Sequence, residues 1–135
     1  MKTFVFTVYM ALMALSVVAQ TEYKGTFYNM EYGLRMKMNL EKMDVPVPGM
    51  EDLDSCYGWI QGKLNGAWYL LKVKEKTEKK AVVRAVSERG ADAQDLEIKL
   101  TPLGLEMKLI GGMYMKGVDK NKYVKLPKPL VMEKE

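Results

Sequence analysis

The 135-residue sequence has no histidine and a single cysteine, and both shortages restrict its chemistry. Without histidine the chain lacks the commonest general base and metal ligand, which excludes serine–histidine and cysteine–histidine mechanisms. One cysteine cannot form an internal disulfide, so Cys56 is a free thiol, a bridge to another chain or a buried apolar side chain. Because Cys56 opens a β-like segment, we expect it to be buried.

Carboxylate pairs are the catalytic option that these shortages leave, because a glycosidase needs only two acids across a cleft. The densest acids are Glu51, Asp52 and Asp54, which follow a stretch containing two prolines and a glycine. This setting predicts a solvated loop rather than a fixed catalytic spacing. The acids also lack the alternating ligand pattern of a calcium loop. We therefore predict no enzyme, no metal and no cofactor.

Charge is nearly balanced, with 21 Lys and Arg against 17 Asp and Glu. A net charge of +4 is too small to indicate nucleic-acid binding. Acids concentrate in residues 41–54 and lysines in residues 74–80. Both segments are either solvated surface or contacts for a protein partner, and loop 41–54 is long enough to cover one mouth of a barrel.

Residues 1–19 have the pattern of a cleavable export signal. Lys2 precedes an apolar run that ends at Ala19, and the run is short for a stable membrane anchor, although a tethering helix is the alternative. Cleavage after Ala19 leaves residues 20–135 as one domain. Because Cys56 lies far from this junction, no lipid anchor is expected. The predicted location is periplasmic or secreted.

A period of two dominates the remaining sequence and predicts eight β-strands. The clearest alternation places Leu34, Met36, Met38 and Leu40 on one face and polar residues on the other. The strands are predicted at residues 23–30, 34–41, 56–61, 67–73, 80–86, 95–100, 105–109 and 123–132. Residues 76–89 contain charges at helical spacing and could instead form a helix, but the β-branched residues Val82, Val83 and Val86 favour the strand at 80–86. The seventh strand is expected to bend at two glycines and resume at residues 113–115.

The alternation of apolar and polar residues in the sixth and seventh predicted strands also predicts how these strands pair. A turn signal at residues 101–104 joins them, and pairing positions that sum to 205 places Leu96 opposite Leu109 and Leu100 opposite Leu105. The same register places Glu97 opposite Lys108 on the outer face. Since both faces agree, this hairpin is the most specific structural prediction.

Eight strands joined mostly by short connections predict an all-β fold, an eight-stranded antiparallel up-and-down barrel of the lipocalin-like type. Closing the sheet removes its edges, and eight strands enclose either a filled interior or one small ligand. An open β-sandwich is the alternative.

The first strand, Tyr-Lys-Gly-Thr-Phe-Tyr-Asn at residues 23–29, resembles that of the calycin barrels, the lipocalin and avidin group. Phe27 stands where those proteins carry a tryptophan two positions after the glycine. In avidin-like chains the residue matching Asn29 contacts biotin, but the other positions of a biotin site are missing here. The whole chain resembles small exported lipocalin-like proteins of Gram-negative bacteria, which implies the barrel and no particular activity.

The predicted interior is rich in methionine, a side chain that adapts to irregular shapes. Methionines and aromatic residues could line a pocket or fill a closed core, and periodicity does not distinguish the two. The candidate lining residues are Phe27, Met36, Met38, Trp59, Trp68 and Met107. We predict an exported, non-enzymatic protein that holds a small apolar or amphipathic ligand in its barrel; the alternative is a protein-interaction or inhibitor module that uses the acidic and basic loops.

Overall fold

The computed structural model describes residues 22–49, 55–90 and 92–135, and these contain β-strands and no helix. The strands are β1 (Lys24–Asn29), β2 (Leu34–Asn39), β3 (Val45–Pro46), β4 (Ser55–Cys56), β5 (Gly58–Gly62), β6 (Trp68–Lys76), β7 (Lys80–Ser87), β8 (Ala93–Thr101), β9 (Gly104–Ile110), β10 (Gly117–Asp119), β11 (Lys122–Val124) and β12 (Leu130–Lys134). The predicted signal at residues 1–19 and the acids of residues 51–54 lie outside the described part. Within that part, no helix has the length and apolar character needed to cross a membrane.

Eight of the strands form a closed antiparallel barrel in the order β1-β12-β9-β8-β7-β6-β5-β2. Each strand pairs with the barrel strand that comes before or after it in the chain, and β12 closes the barrel on β1. This confirms the eight-stranded up-and-down barrel with lipocalin-like architecture. The open β-sandwich is wrong, because closure leaves neither β1 nor β12 as a free edge.

The hairpin of β8 and β9 has the predicted register. Leu96 lies opposite Leu109, Leu100 opposite Leu105, and every aligned pair sums to 205. The predicted strand at residues 80–86 is β7, which confirms strand over helix. In both places the alternation of apolar and polar residues matches one buried and one solvated face.

Three predicted strands differ in the structure. The strand expected at 56–61 is divided at Tyr57 into β4, which pairs with β3, and the barrel strand β5. After β9, Gly111 and Gly112 adopt φ of 72° and 132°, and residues 113–115 do not continue the strand. The long strand expected at 123–132 is divided into β11 and β12, with Pro127 and Pro129 between them. Left-handed glycines and prolines without an N–H interrupt a β-ladder even where the surrounding residues are apolar.

Side chains from all eight barrel strands occupy the interior and form one buried cluster. Its largest members, each less than 2% exposed, include Trp68, Phe27, Met36, Met38, Ile60, Leu70, Leu96, Ile98, Leu105, Met107 and Leu130. Leu64 from the β5–β6 connection joins this cluster together with Met115 and Leu126, which flank the β10–β11 hairpin. We call this the hairpin end of the barrel.

The described part of loop 41–54 packs against the outer wall of the barrel. Strands β3 and β4 pair, and Val45, Val47 and Cys56 form a second buried cluster against Trp59 and Tyr69. Cys56 is buried, as expected, and its thiol donates to the carbonyl of Gly58 at 3.1 Å. The prediction that loop 41–54 covers a mouth of the barrel is wrong for residues 45–49, because their valines are buried against the outer wall formed by β5 and β6.

Candidate functional site

Five of the six predicted lining residues face the barrel interior. They are each at most 1% exposed: Phe27, Met36, Met38, Trp68 and Met107. Trp59 does not join them, because strand alternation directs Ile60 inward and Trp59 outward against the second cluster. The prediction that Trp59 lines the barrel interior is therefore wrong. At the other five positions the side chains themselves occupy the interior, and a ligand-binding role there stays a prediction.

Asn29, the position that the calycin resemblance implies for ligand contact, bonds to the backbone. Its Nδ2 donates to the carbonyl of Val131 at 2.8 Å, and its Oδ1 accepts from Tyr32 N at 2.8 Å. The side chain thus joins the β1–β2 turn to β12. Both ends of its amide are engaged in holding the barrel together.

An open cavity of about 520 Å³ lies at the barrel end opposite the hairpin end, where β6 turns into β7. Tyr23 reaches it from just before β1, Glu41 from just after β2, and Leu100 from the end of β8. We call this cavity the mouth, and its lining residues are Glu22, Tyr23, Glu41, Lys76, Thr77, Glu78 and Leu100. Leu100 packs partly buried against the interior cluster, so the mouth has an apolar floor.

Tyr23 is the unusual residue of the mouth. It is 3% exposed, and its hydroxyl has no hydrogen-bond partner among the described residues. Burial, and then the negative charge of Glu41, raise the pKa of Tyr23 to about 12, so the hydroxyl keeps its proton at neutral pH. An unpaired buried hydroxyl costs about 1–3 kcal/mol of stability.

The rim of the mouth is charged. Lys76 Nζ lies 2.8 Å from Glu41 Oε2, and both side chains remain partly exposed. The turn between β6 and β7 is fixed by Thr77, whose N donates to the Lys80 carbonyl at 2.8 Å. With Glu22 and Glu78, the lining holds three carboxylates against one ammonium. Within this lining, acids therefore outnumber bases.

The ion pair of Glu41 and Lys76 joins the predicted acidic loop to the predicted basic turn. Two other lysines of that turn also have intramolecular partners, since Lys74 Nζ lies 3.1 Å from Asp95 and Lys80 Nζ lies 3.4 Å from Glu97. A protein partner at loop 41–54 or at the turn stays a prediction. In the described residues, no three His, Cys, Asp or Glu side chains are grouped as metal ligands.

The sequence analysis missed Tyr23 as a site residue. Its position at the start of an alternating strand carries no signal of an unpaired hydroxyl. The opposite charges of residues 41–54 and 74–80 could have predicted that the two segments lie close together. In the structure, Glu41 and Lys76 form an ion pair at the mouth.

No protein-family model, curated protein or solved structure matches this chain.

Proposed function

We propose that this is an exported, non-enzymatic binding protein of the lipocalin-like type that takes a small amphipathic ligand at the mouth of its barrel. The observation that carries the proposal is the buried, unpaired Tyr23 hydroxyl at an open cavity of about 520 Å³. A ligand group that bonds to this oxygen after a small shift of the ring removes the cost of leaving it unpaired. The apolar floor at Leu100 receives the apolar part of the ligand.

The charge of the rim favours a cationic head group on the ligand. Three carboxylates surround one ammonium, and the Glu41–Lys76 pair leaves Glu22 and Glu78 without a lysine partner in the described residues. A primary ammonium donates hydrogen bonds to carboxylates and to the oxygen of a neutral phenol. A long-chain alkylamine is therefore the model compound that fits the floor and the rim together.

The test compares dodecylammonium with dodecanoate by titration calorimetry and by backbone amide NMR shifts, both below micelle formation. We expect the cation to bind about five- to tenfold more tightly, because contacts with exposed carboxylates are worth about 0.2–1 kcal/mol each and the anion lacks them. The amide shifts should centre on Thr77 and Leu100. Glu41→Gln together with Glu78→Gln should abolish the preference, whereas the wall variant Glu106→Gln should keep it.

Native mass spectrometry of the protein purified gently from its own host would identify the natural ligand as extra mass that disappears on denaturation. Equal affinity for the two amphiphiles, or shifts that lie away from the mouth, would contradict the proposal.

A further inference from the structure

One segment at the hairpin end carries much of the positive charge of the protein. Residues 113–128 contain five lysines and one aspartate, a net charge of +4, which equals the net charge of the complete sequence. The rest of the chain is therefore balanced. All five lysines are exposed: Lys116, Lys120, Lys122, Lys125 and Lys128.

These lysines have no carboxylate partner among the described residues, whereas Lys74, Lys76 and Lys80 of the β6–β7 turn each have one. The ammonium of Lys116 lies 5.4 Å from the centre of the Tyr123 ring instead. Lys120 and Asn121 form the two-residue turn of the hairpin with φ of 50° and 64°, which brings Lys120 and Lys122 together at its tip. Asp119 pairs opposite Lys122, so the exposed tip carries two lysines and one aspartate, and this net positive charge attracts an anionic surface.

Exposed apolar side chains accompany the lysines. Tyr123 is 68% exposed, Tyr114 50% and Met113 41%. Tyrosine has an apolar ring and a polar tip, the combination enriched where protein meets the headgroup layer of a membrane. Lysines and such residues at one exposed end of a protein suit the anionic headgroup layer of a bilayer.

We propose that the hairpin end of the barrel binds the surface of an anionic phospholipid membrane. The lysines contact headgroup phosphates, and the rings of Tyr123 and Tyr114 enter the interfacial layer. A membrane fits better than a single-stranded nucleic acid, because Lys120 and Lys122 lie at the tip of an exposed hairpin rather than along a groove that tracks a strand. The site is independent of the mouth, which lies at the opposite end of β6.

The experiment is co-sedimentation of the purified protein with vesicles of phosphatidylcholine containing about 30% phosphatidylglycerol, at about 50 mM NaCl, where surface charges are weakly screened. The test variant is Lys120→Gln, Lys122→Gln and Lys125→Gln together. Each lysine near an anionic surface contributes about a fivefold increase in affinity. We therefore expect the triple variant to bind about 100-fold more weakly than the unmodified protein. Pure phosphatidylcholine vesicles should not bind.

The matched control removes the same charge from the barrel wall: Lys37→Gln, Lys72→Gln and Lys99→Gln together, all at exposed positions. It should retain binding to within about threefold, since at this salt concentration charges farther than roughly 14 Å from the membrane are screened. Tyr123→Ser should weaken binding a few-fold without a change in charge.

Three results would overturn the proposal. The first is an absence of binding to the phosphatidylglycerol vesicles, and the second is an equal loss in the wall variant. The third is preferential binding of polyglutamate or oligothymidylate, either of which would assign the hairpin end to an acidic polypeptide or a nucleic acid.

Discussion

The side-chain oxygen of Gln94 accepts a hydrogen bond from the backbone N of Tyr114 at 2.7 Å. The same oxygen accepts from Met115 N at 3.2 Å, and Nε2 donates to the carbonyls of Ile110 and Gly112. Gln94 is fully buried. Its amide therefore satisfies backbone groups at the point where β9 stops pairing, and it positions the segment that covers the hairpin end.

Replacing Gln94→Leu should destabilise the protein strongly, because buried backbone groups lose their partners while the apolar volume is kept. At about 1–3 kcal/mol for each unsatisfied group, we expect a loss of about 3 kcal/mol or more. Urea unfolding followed by circular dichroism measures it. Gln61→Leu, on the half-buried outer face of β5, should change stability by less than about 1 kcal/mol. A similar small effect at Gln94 would contradict the role of its amide.

The raised pKa of Tyr23 predicts that the folded protein loses stability in alkali. Its pKa is about 12 in the folded protein and about 10 when unfolded, so its contribution is complete below pH 10 and is lost as pH rises towards 12. Two pKa units correspond to about 2–3 kcal/mol. Tyr23→Phe should remove this part of the alkaline loss in denaturation curves between about pH 9 and 12.

The exposed residue Tyr123 supplies the control for that measurement. Tyr123→Phe should show the same alkaline loss as the unmodified protein, because the side chain of Tyr123 is 68% exposed. If Tyr23→Phe also follows the unmodified curve, the hydroxyl of Tyr23 is not held in a buried environment.

The lowered pKa of Asp95 predicts that the folded protein loses stability in acid. A hydrogen bond from Arg84 at 2.9 Å, and a weaker effect of Lys74, lower the pKa of this carboxyl against the opposing effect of burial. Its contribution is therefore present above the unfolded pKa of about 3.9 and is lost as pH falls through the lower folded value. Asp95→Asn should cost on the order of 1 kcal/mol at neutral pH, and the difference should shrink towards about pH 2.

Asp92→Asn, at an exposed position nearby, is the control and should leave the acid unfolding curve unchanged. A constant difference between Asp95→Asn and the unmodified protein across the acid range would show that ionisation of Asp95 is not coupled to folding.

The backbone of β12 lies so close to Gly104, at the start of β9, that a side chain at this position should destabilise the protein. A Cβ at this position would overlap the carbonyl oxygen of Met132 and lie 2.9 Å from Cα of Glu133. Gly104→Ala should therefore cost about 3 kcal/mol, at the upper end of overpacking effects. Gly90→Ala has open space and a φ of 72°, so it should cost only about 1 kcal/mol. Equal losses in thermal or urea unfolding would rule out crowding as the reason for glycine at 104.

Sequence reasoning was most successful where one side chain in two is buried. The β8–β9 register followed from the alternation of Leu96, Ile98 and Leu100, because a shift by one residue would turn all three to solvent. It failed at residues 113–115 and 123–132, where apolar residues continue but glycine or proline ends the ladder. It also assigned Trp59 to the interior, because alternation separates Trp59 from Ile60 but does not say which face is inside.

The sequence by itself determined the strands, the hairpin register and the all-β class, since these depend on neighbours two residues apart or across one short turn. Only the tertiary structure decided that β12 closes the barrel on β1, that Tyr23 and Lys76 meet at the mouth, and that Gln94 replaces the missing ladder of residues 113–115. Those relationships join residues from 20 to more than 100 positions apart. They depend on how the sheet curves and packs, which local periodicity does not encode.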